Sequence, residues 1–178
     1  MIYMFLANGF EEVEALMPLD LMRRAGLDVK TVGVGGLEIT GSHGITVKAD
    51  MIDSDFADKA PECVILPGGM PGTKNLDASP VVHAALDSAL ETDALICAIC
   101  AAPMILGKRG ILRGKNATCF PGFEEYLEGA NIGGRAVRDG RVITAVGMGA
   151  ALEFGIEIVA VLCGRDAADK LFAAVLAK

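Results

Sequence analysis

Five short and largely apolar runs punctuate this chain: Ile2–Ala7, Val29–Val34, Cys63–Leu66, Ala94–Ile99 and Arg141–Val146. Apolar runs of this length suit strands of a parallel sheet buried on both faces. Between them lie segments with helical character, so strand and helix patterns alternate from end to end, which predicts an α/β layered domain. A doubly wound sheet in one domain, residues 1–178, is the expectation.

The helical segments carry their own punctuation. Phe10–Ala25 has Glu11, Glu12 and Glu14 in its first turn and Arg23 and Arg24 in its last, which complements the helix dipole, and Gly26 stops it. Pro18 inside it implies a kink or a late start. Ser79 and Pro80 open a helix over Pro80–Glu91 as N-cap and first residue. A short helix reaches about Lys108, a long one spans Gly149–Cys163 with Gly164 as its stop, and Ala167–Leu176 forms the last. Strands are further expected at Asn116–Phe120 and around Ile45 and Val47, and the glycine-rich stretch Gly33–Gly44 reads as a hairpin or excursion at the sheet edge.

Composition removes several function classes. With 16 Lys and Arg against 23 Asp and Glu, the net charge of −7 argues against a nucleic-acid partner. A content of 52% hydrophobic and 22% charged residues excludes intrinsic disorder. The longest uncharged stretch, Ala94–Gly107, has 14 residues, short of the roughly 20 a membrane span requires. The opening Met1–Ala7 has no basic region and soon meets Glu11, so no export signal is expected. Five cysteines, an odd and irregularly spaced set, point to reduced thiols in the cytoplasm.

In an open parallel sheet, chemistry gathers at the carboxyl ends of strands. Four such ends stand out: Asn8–Glu14, Pro67–Gly72, Cys100–Pro103 and Cys119–Gly122. The third delivers Cys100 from a buried strand straight into a helical turn, the geometry of a nucleophile elbow. A thiol there faces the positive end of the helix dipole, which predicts a lowered pKa and a standing thiolate. Position alone leaves a second reading, Cys100 as a buried small residue like Cys63, Cys97 and Cys163. Cys97 and Cys100 form a C-x-x-C, but three extended residues separate their Cα atoms by roughly 10 Å, beyond the approximately 7 Å a disulfide spans. His43 and His83 lack metal-ligand spacing, so no metal is expected, and His83 is placed on a solvent-facing helix surface. No phosphate-cradling motif is present and no cofactor is expected.

The glycines of Pro67-Gly68-Gly69 let the backbone approach a ligand, and the amides of Gly68, Gly69 and Ala101 are candidate oxyanion donors. A tight turn needing positive φ explains the same glycines equally well. Glu14, early in the first helix, is a candidate proton carrier: burial beside a thiolate would raise its pKa and keep it protonated.

Gly9-Phe-Glu-Glu-Val-Glu14, Leu66-Pro-Gly-Gly69, Ala98-Ile-Cys-Ala-Ala-Pro103, Met22-Arg-Arg-Ala-Gly26 and Leu152-Glu-Phe154 together resemble the DJ-1/ThiJ/PfpI superfamily, nearest its DJ-1-like branch. The resemblance runs in order along essentially the whole chain. It implies a flavodoxin-like three-layer sandwich, with helices on both faces of a mostly parallel sheet, and a homodimer. It further implies a reactive Cys100 hydrogen-bonded to protonated Glu14, with Gly69 and Ala101 amides at an oxyanion site. The activities it implies are glyoxalase or deglycase conversion of small α-oxoaldehydes such as methylglyoxal, oxidative-stress sensing by Cys100 sulfinate, and chaperoning.

Three departures from the family pattern shape those expectations. Phe120-Pro121 stands where many relatives carry His-Pro, which removes the base that PfpI-type proteolysis or amidase chemistry would use. Gly147-Met-Gly-Ala150 replaces Gly-Pro-Gly-Thr, putting the thioether of Met148 at the site wall. His43 stands where some relatives place an arginine, and when protonated would take over its anion-binding role. Phe120, Pro121, Met148 and His43 are accordingly expected to wall the site. Cys119 points away if Phe120 points in, which disfavours a resolving role for it.

Overall fold

The apolar runs form the middle of one sheet. In the computed structural model, which describes residues 1–177, the elements follow in order. They begin with β1 (Ile2–Leu6), α1 (Glu12–Arg24), β2 (Val29–Gly33), β3 (Glu38–Thr40), β4 (Thr46–Lys48), β5 (Met51–Ile52), β6 (Cys63–Leu66), α2 (Gly72–Asp77) and α3 (Pro80–Glu91). There follow β7 (Leu95–Ile99), α4 (Pro103–Lys108), β8 (Asn116–Ala117), β9 (Asn131–Ile132), β10 (Ala136–Asp139), β11 (Val142–Ala145), α5 (Ala151–Cys163) and α6 (Arg165–Ala174). Lys178, the end of the expected domain, lies outside the described residues. No helix among the described residues is long and apolar enough to cross a membrane.

Seven strands pair in the order β10-β11-β7-β6-β1-β2-β5. Every pairing is parallel except that of β10 with β11, which forms the antiparallel edge. Strand order reverses at β1, with β2 on one side and β6 on the other, so a crevice opens at the carboxyl ends of β1 and β6. Helices cover both faces. Side chains alternate along each strand, so Ile2, Met4 and Leu6 pack with Met22 of α1 and Phe154 and Val159 of α5. Tyr3 and Phe5 face Leu76 of α2, Leu86 of α3 and Ile105 of α4. The three-layer α/β sandwich is as expected.

Several boundaries move, each for a local reason. α1 begins at Glu12, two residues later than expected, and continues through Pro18 to Arg24, so the helix does not wait for the proline to start. The expected strand Asn116–Phe120 keeps only Asn116–Ala117 and pairs with β9 in a separate small sheet. Beyond it the backbone is claimed elsewhere, Thr118 N–H by Thr144 Oγ1 and Phe120 N–H by the Cys100 carbonyl. The residues Met148–Ala150 form a 3₁₀ turn, so α5 starts at Ala151, and α6 occupies Arg165–Ala174, two residues earlier than expected at each end. α2 and β10 carry too little periodicity to announce themselves. His83 is not solvent-facing: it is half-buried, with Nε2 2.7 Å from the Asp77 carbonyl and Nδ1 2.8 Å from Arg109 Nη1. Cys163, expected to be buried, is exposed at the end of α5.

The placement of α1 is set by α5. A Cβ at Gly155 would stand 2.6 Å from Leu21 Cδ1 and 3.0 Å from Pro18 Cα, so the helices meet where α5 has no side chain. Gly155→Val is therefore expected to overpack this contact and cost about 1–3 kcal/mol in urea denaturation. A loss below about 0.5 kcal/mol would mean that the helices separate freely there.

Candidate active site

The carboxyl ends of β1, β6, β7 and β11 converge on Cys100. Cys100 follows β7 directly and holds φ +66°, a left-handed conformation unusual for a residue with a side chain. Its N–H donates to the Ala145 carbonyl at 2.8 Å and its carbonyl accepts from Phe120 N–H at 2.8 Å, which fix the turn on both sides. The thiol is partly exposed, as an elbow requires. The helix beyond it begins only at Pro103 and is six residues long, so little dipole acts on the sulfur.

Glu14 reaches the same point from α1 and is 1% exposed. Its Oε2 accepts from Gly68 N–H at 3.0 Å, the Met148 amide also donates to it, and its carboxyl shares a hydrogen bond with the Cys100 thiol. Burial, with a smaller push from the Glu11 charge, raises Glu14 to about 7. The Cys100 thiol is pushed up to about 12, by burial first and then by the Glu14 carboxylate, against the pull of the Gly69 and Ala101 amides. The expected lowering of the thiol pKa is thus reversed, because desolvation outweighs the backbone donors. Near neutrality the thiol keeps its proton and Glu14 is divided between acid and carboxylate, so the negative charge the pair carries rests on Glu14.

The backbone around this charge has no room for side chains. A Cβ on Gly68 would meet both Cys100 Cβ and Glu14 Oε2 at 2.5 Å. Gly69, at φ +89°, lies against Gly9 and Glu11 backbone. Gly68 N–H serves Glu14, so the donors facing the sulfur are Gly69 and Ala101, and Gly68 leaves the set of candidate oxyanion amides. Gly147, named in the sequence only as part of the stretch that places Met148, borders the same space. A Cβ there would stand 3.3 Å from Phe120 Cδ2, 3.6 Å from Glu14 Oε1 and 3.9 Å from Cys100 Sγ. Its place after the last buried strand was the available signal.

The remaining candidates divide. The Phe120 ring lines the approach to the sulfur and is 47% exposed, whereas Pro121 is exposed in the following turn. Cys119 packs into the opposite core with its thiol raised to about 11 by burial, with a smaller push from the Glu124 charge. Met148 acts through its amide, while its side chain shares a hollow of about 250 Å³ with Val13, Ile45 and His43. His43 is not among the groups acting on the sulfur. Its Nδ1 lies 3.0 Å from Glu12 Oε2 and 3.3 Å from Glu11 Oε2, and these partners raise its pKa. Burial would raise Glu12, but the His43 ring and surrounding backbone amides hold it at about 2. Glu11, Glu12 and His43 bring ligand atoms within 4.8 Å of one another. Glu12 already accepts from His43 N–H at 2.7 Å and from Ile45 N–H at 3.4 Å, so the trio reads as a staple tying the β3–β4 loop to α1 rather than as a metal centre.

A doubly wound sheet with an elbow cysteine and a buried carboxylic acid at its switch point defines a class of flavodoxin-like proteins with a cysteine-centred site. The chain belongs to the DJ-1/PfpI family, which residues 1–161 match. It is 36% identical to the Parkinson disease protein 7 homolog of Danio rerio, over 97% of this chain and 95% of the relative. It is 31% identical to the glutathione-independent glyoxalase DJR-1.2 of Caenorhabditis elegans, over 90% of this chain and 87% of that one. Its fold matches the oxidized DJ-1 of Toxoplasma gondii with a TM-score of 0.94 at 31% identity, covering 99% of this chain and 97% of the other.

The raised Glu14 pKa fixes a sign. Ionisable at 4.5 in the unfolded chain and at about 7 in the fold, Glu14 stabilises the folded state fully only at low pH, and this contribution is lost as pH rises through 7. Between pH 5 and 8 the loss is on the order of 3 kcal/mol, a window in which Glu12, held at about 2, does not titrate. Urea denaturation of Glu14→Gln across this range is expected to be flatter than wild type by that amount. Equal slopes would put the bound proton elsewhere.

Proposed function

We propose that this chain is a cofactor-independent glyoxalase converting small α-oxoaldehydes such as methylglyoxal to hydroxy acids. The observation that carries the reading is the buried, near-neutral Glu14 hydrogen-bonded to a partly exposed Cys100. An acid matched to the working pH both gives and takes protons effectively.

The steps follow from that pair. As the Cys100 sulfur attacks the aldehyde carbon, its proton passes to the Glu14 carboxylate; a C–S bond forms and the carbonyl oxygen takes that proton from Glu14, giving a hemithioacetal. The Glu14 carboxylate then removes the hydrogen from that carbon, leaving an enediolate, and returns it to the neighbouring carbon while the hydroxyl proton crosses to the adjacent oxygen. The first carbon is oxidised to a thioester as the second is reduced to an alcohol. Water adds to the thioester, Glu14 takes its proton, the C–S bond breaks, and the hydroxy acid leaves with the Cys100–Glu14 pair restored. Gly69 and Ala101 amides stabilise negative charge at the sulfur.

Lactate release from methylglyoxal tests the reading. Cys100→Ala is expected to abolish it and Glu14→Gln to lower kcat about 10²–10⁴-fold; equal rates in Cys100→Ala would remove the proposal. Deglycase action on aldehyde adducts would use the same pair. PfpI-type proteolysis has no support, since Phe120 occupies the place of the base. The setting that fits this reading is a cytoplasmic homodimer acting as one domain, supported by five free cysteines and by exposed Val13, Ile45 and Met148 around one hollow.

A second reading, a sensor in which Cys100 is oxidised to a sulfinate, is favoured by the two amides and the protonated acid around a partly exposed sulfur. It requires that mild peroxide oxidise Cys100 ahead of the other four thiols, as mass spectrometry of digested protein would read.

A further inference from the structure

At the opposite end of β7 from Cys100, a hollow of about 310 Å³ opens where β7 and β11 begin, at the small end of the range of ligand sites. Its apolar surface comes from Ile96 and Val142, both buried, from half-buried Ile111, and from Leu90, which is 48% exposed at the end of α3. Two basic side chains, Lys115 and Arg141, share the lining, and both are half-buried. The one carboxylate in that lining is the exposed Asp93. Two cations against one carboxylate leave the hollow positive, in a chain whose net charge is −7.

Arg141 differs from every other arginine in the chain. The other seven each lie 3.9 Å or closer to a carboxylate oxygen. Arg141 has no carboxylate partner among the described residues; its Nε donates instead to the Asp93 main-chain carbonyl at 2.9 Å. That bond steadies the guanidinium and leaves its Nη groups without an acceptor, a fork matched to the two oxygens of a carboxylate. Lys108 is the one lysine paired with a carboxylate among the described residues, so Lys115 is unpaired as well. A cation half withdrawn from water is poorly compensated until an anion joins it. The backbone beneath both is fixed: the Arg141 carbonyl accepts from Ile96 N–H at 2.9 Å and the Lys115 carbonyl from Asn131 N–H at 2.8 Å. Gly140, at φ +60°, turns the chain into β11 immediately before Arg141. The hollow is therefore built before any ligand arrives, which lowers the ordering cost of binding.

We propose that this hollow is a binding site for a small monocarboxylate with a compact apolar body, such as an arylalkanoate. Arg141 takes the carboxylate on its fork, Lys115 adds a second positive charge, and Leu90, Ile96, Ile111 and Val142 receive the body. Both halves are needed, since the cations alone would hold any anion and the apolar floor alone any hydrocarbon. One net positive charge suits a monoanion better than a phosphate ester dianion, which Asp93 would also oppose. No bond is made or broken here, and the site does not depend on the glyoxalase reading.

Titration of isotope-labelled protein with 3-phenylpropionate, followed by amide chemical shifts, tests the assignment. The controls are 3-phenylpropan-1-ol for the charge, acetate for the body and inorganic phosphate for the class of anion, all at constant ionic strength. The acid is expected to move the Ile96, Gly140 and Val142 amides saturably, and each control to bind at least about tenfold more weakly. Arg141→Gln is expected to weaken the acid about tenfold and Lys115→Gln severalfold. Arg141→Lys, which restores charge without the fork, is expected to recover only part of the loss. Leu90→Glu changes an exposed position, keeps both cations and sets a carboxylate against the ligand; it is expected to abolish binding while the rest of the spectrum stays in place. It keeps the test decisive even where a change at Arg141 disturbs the fold. Absence of saturable shifts at the three amides overturns the proposal. Equal binding of the alcohol reduces the hollow to an apolar one, and equal binding of acetate or phosphate to an unselective anion site; either result overturns it too. So does unchanged affinity in Leu90→Glu or in a folded Arg141→Gln.

Discussion

One hydrogen-bonded pair, a buried carboxyl raised to near neutrality beside a thiol raised well above it, organises this crevice. Glu14 is almost wholly buried and Cys100 partly so, and two charges at that distance in a poorly solvated niche would repel by several kcal/mol. The fold answers with backbone rather than with cations. Gly68 and Met148 amides turn toward Glu14, and Gly69 and Ala101 amides toward the sulfur. These four donors come from the ends of three strands, β6, β7 and β11, and Glu14 itself from the helix after β1. The strand order that reverses at β1 brings these ends together. Glycine recurs at Gly68, Gly69 and Gly147 because backbone can approach a buried charge only where no Cβ intervenes.

That arrangement also explains the uneven legibility of the sequence. The parallel sheet was readable because β1, β6 and β7 are unbroken apolar runs, buried on both faces, and no other element satisfies such runs so simply. The elbow was readable because Cys100 follows β7 without a loop. What failed was electrostatics. A helix of six residues after Pro103 supplies little dipole, and desolvation, which depends on what folds over the sulfur from distant segments, reversed the expected shift. His83 failed for a related reason: its solvent-facing placement took α3 alone, while Asp77 and Arg109 arrive from α2 and the end of α4. The strand Asn116–Phe120 was cut short by two tertiary hydrogen bonds that no local pattern announces.

The hairpin β3–β4 shows how a second carboxylate is used in the opposite way. Glu12 is shielded from solvent like its neighbour two residues on but lies nearer the surface, and it is held ionised at about 2, while the deeper Glu14 is raised to about 7. The difference lies in depth and in the donors. Glu12 collects the ring and amide of His43 and the amide of Ile45, which compensate its charge fully, and Gly41 leaves room for its carboxyl. Glu14 receives two amides and a thiol that competes for the same charge. One carboxylate therefore fastens a loop beside the crevice, and the other, left short of donors, keeps a proton to move. His43 is drawn into the fastening, which takes it out of the anion-binding part that its position in the sequence suggested.

The raised thiol bears on the choice between the two functional readings. A peroxide sensor depends on a standing thiolate, because the oxidation rate follows the thiolate fraction. Burial and the Glu14 carboxylate both lower that fraction at Cys100. An aldehyde addition does not need it, since the proton can pass to Glu14 as the C–S bond forms, and an acid near 7 is well matched to take it and give it back. Phe120, standing where a histidine would have supplied a further proton site, leaves Glu14 as the carrier next to the sulfur. On the glyoxalase reading the site is then a single-base system, in which one carboxyl serves both carbons in turn.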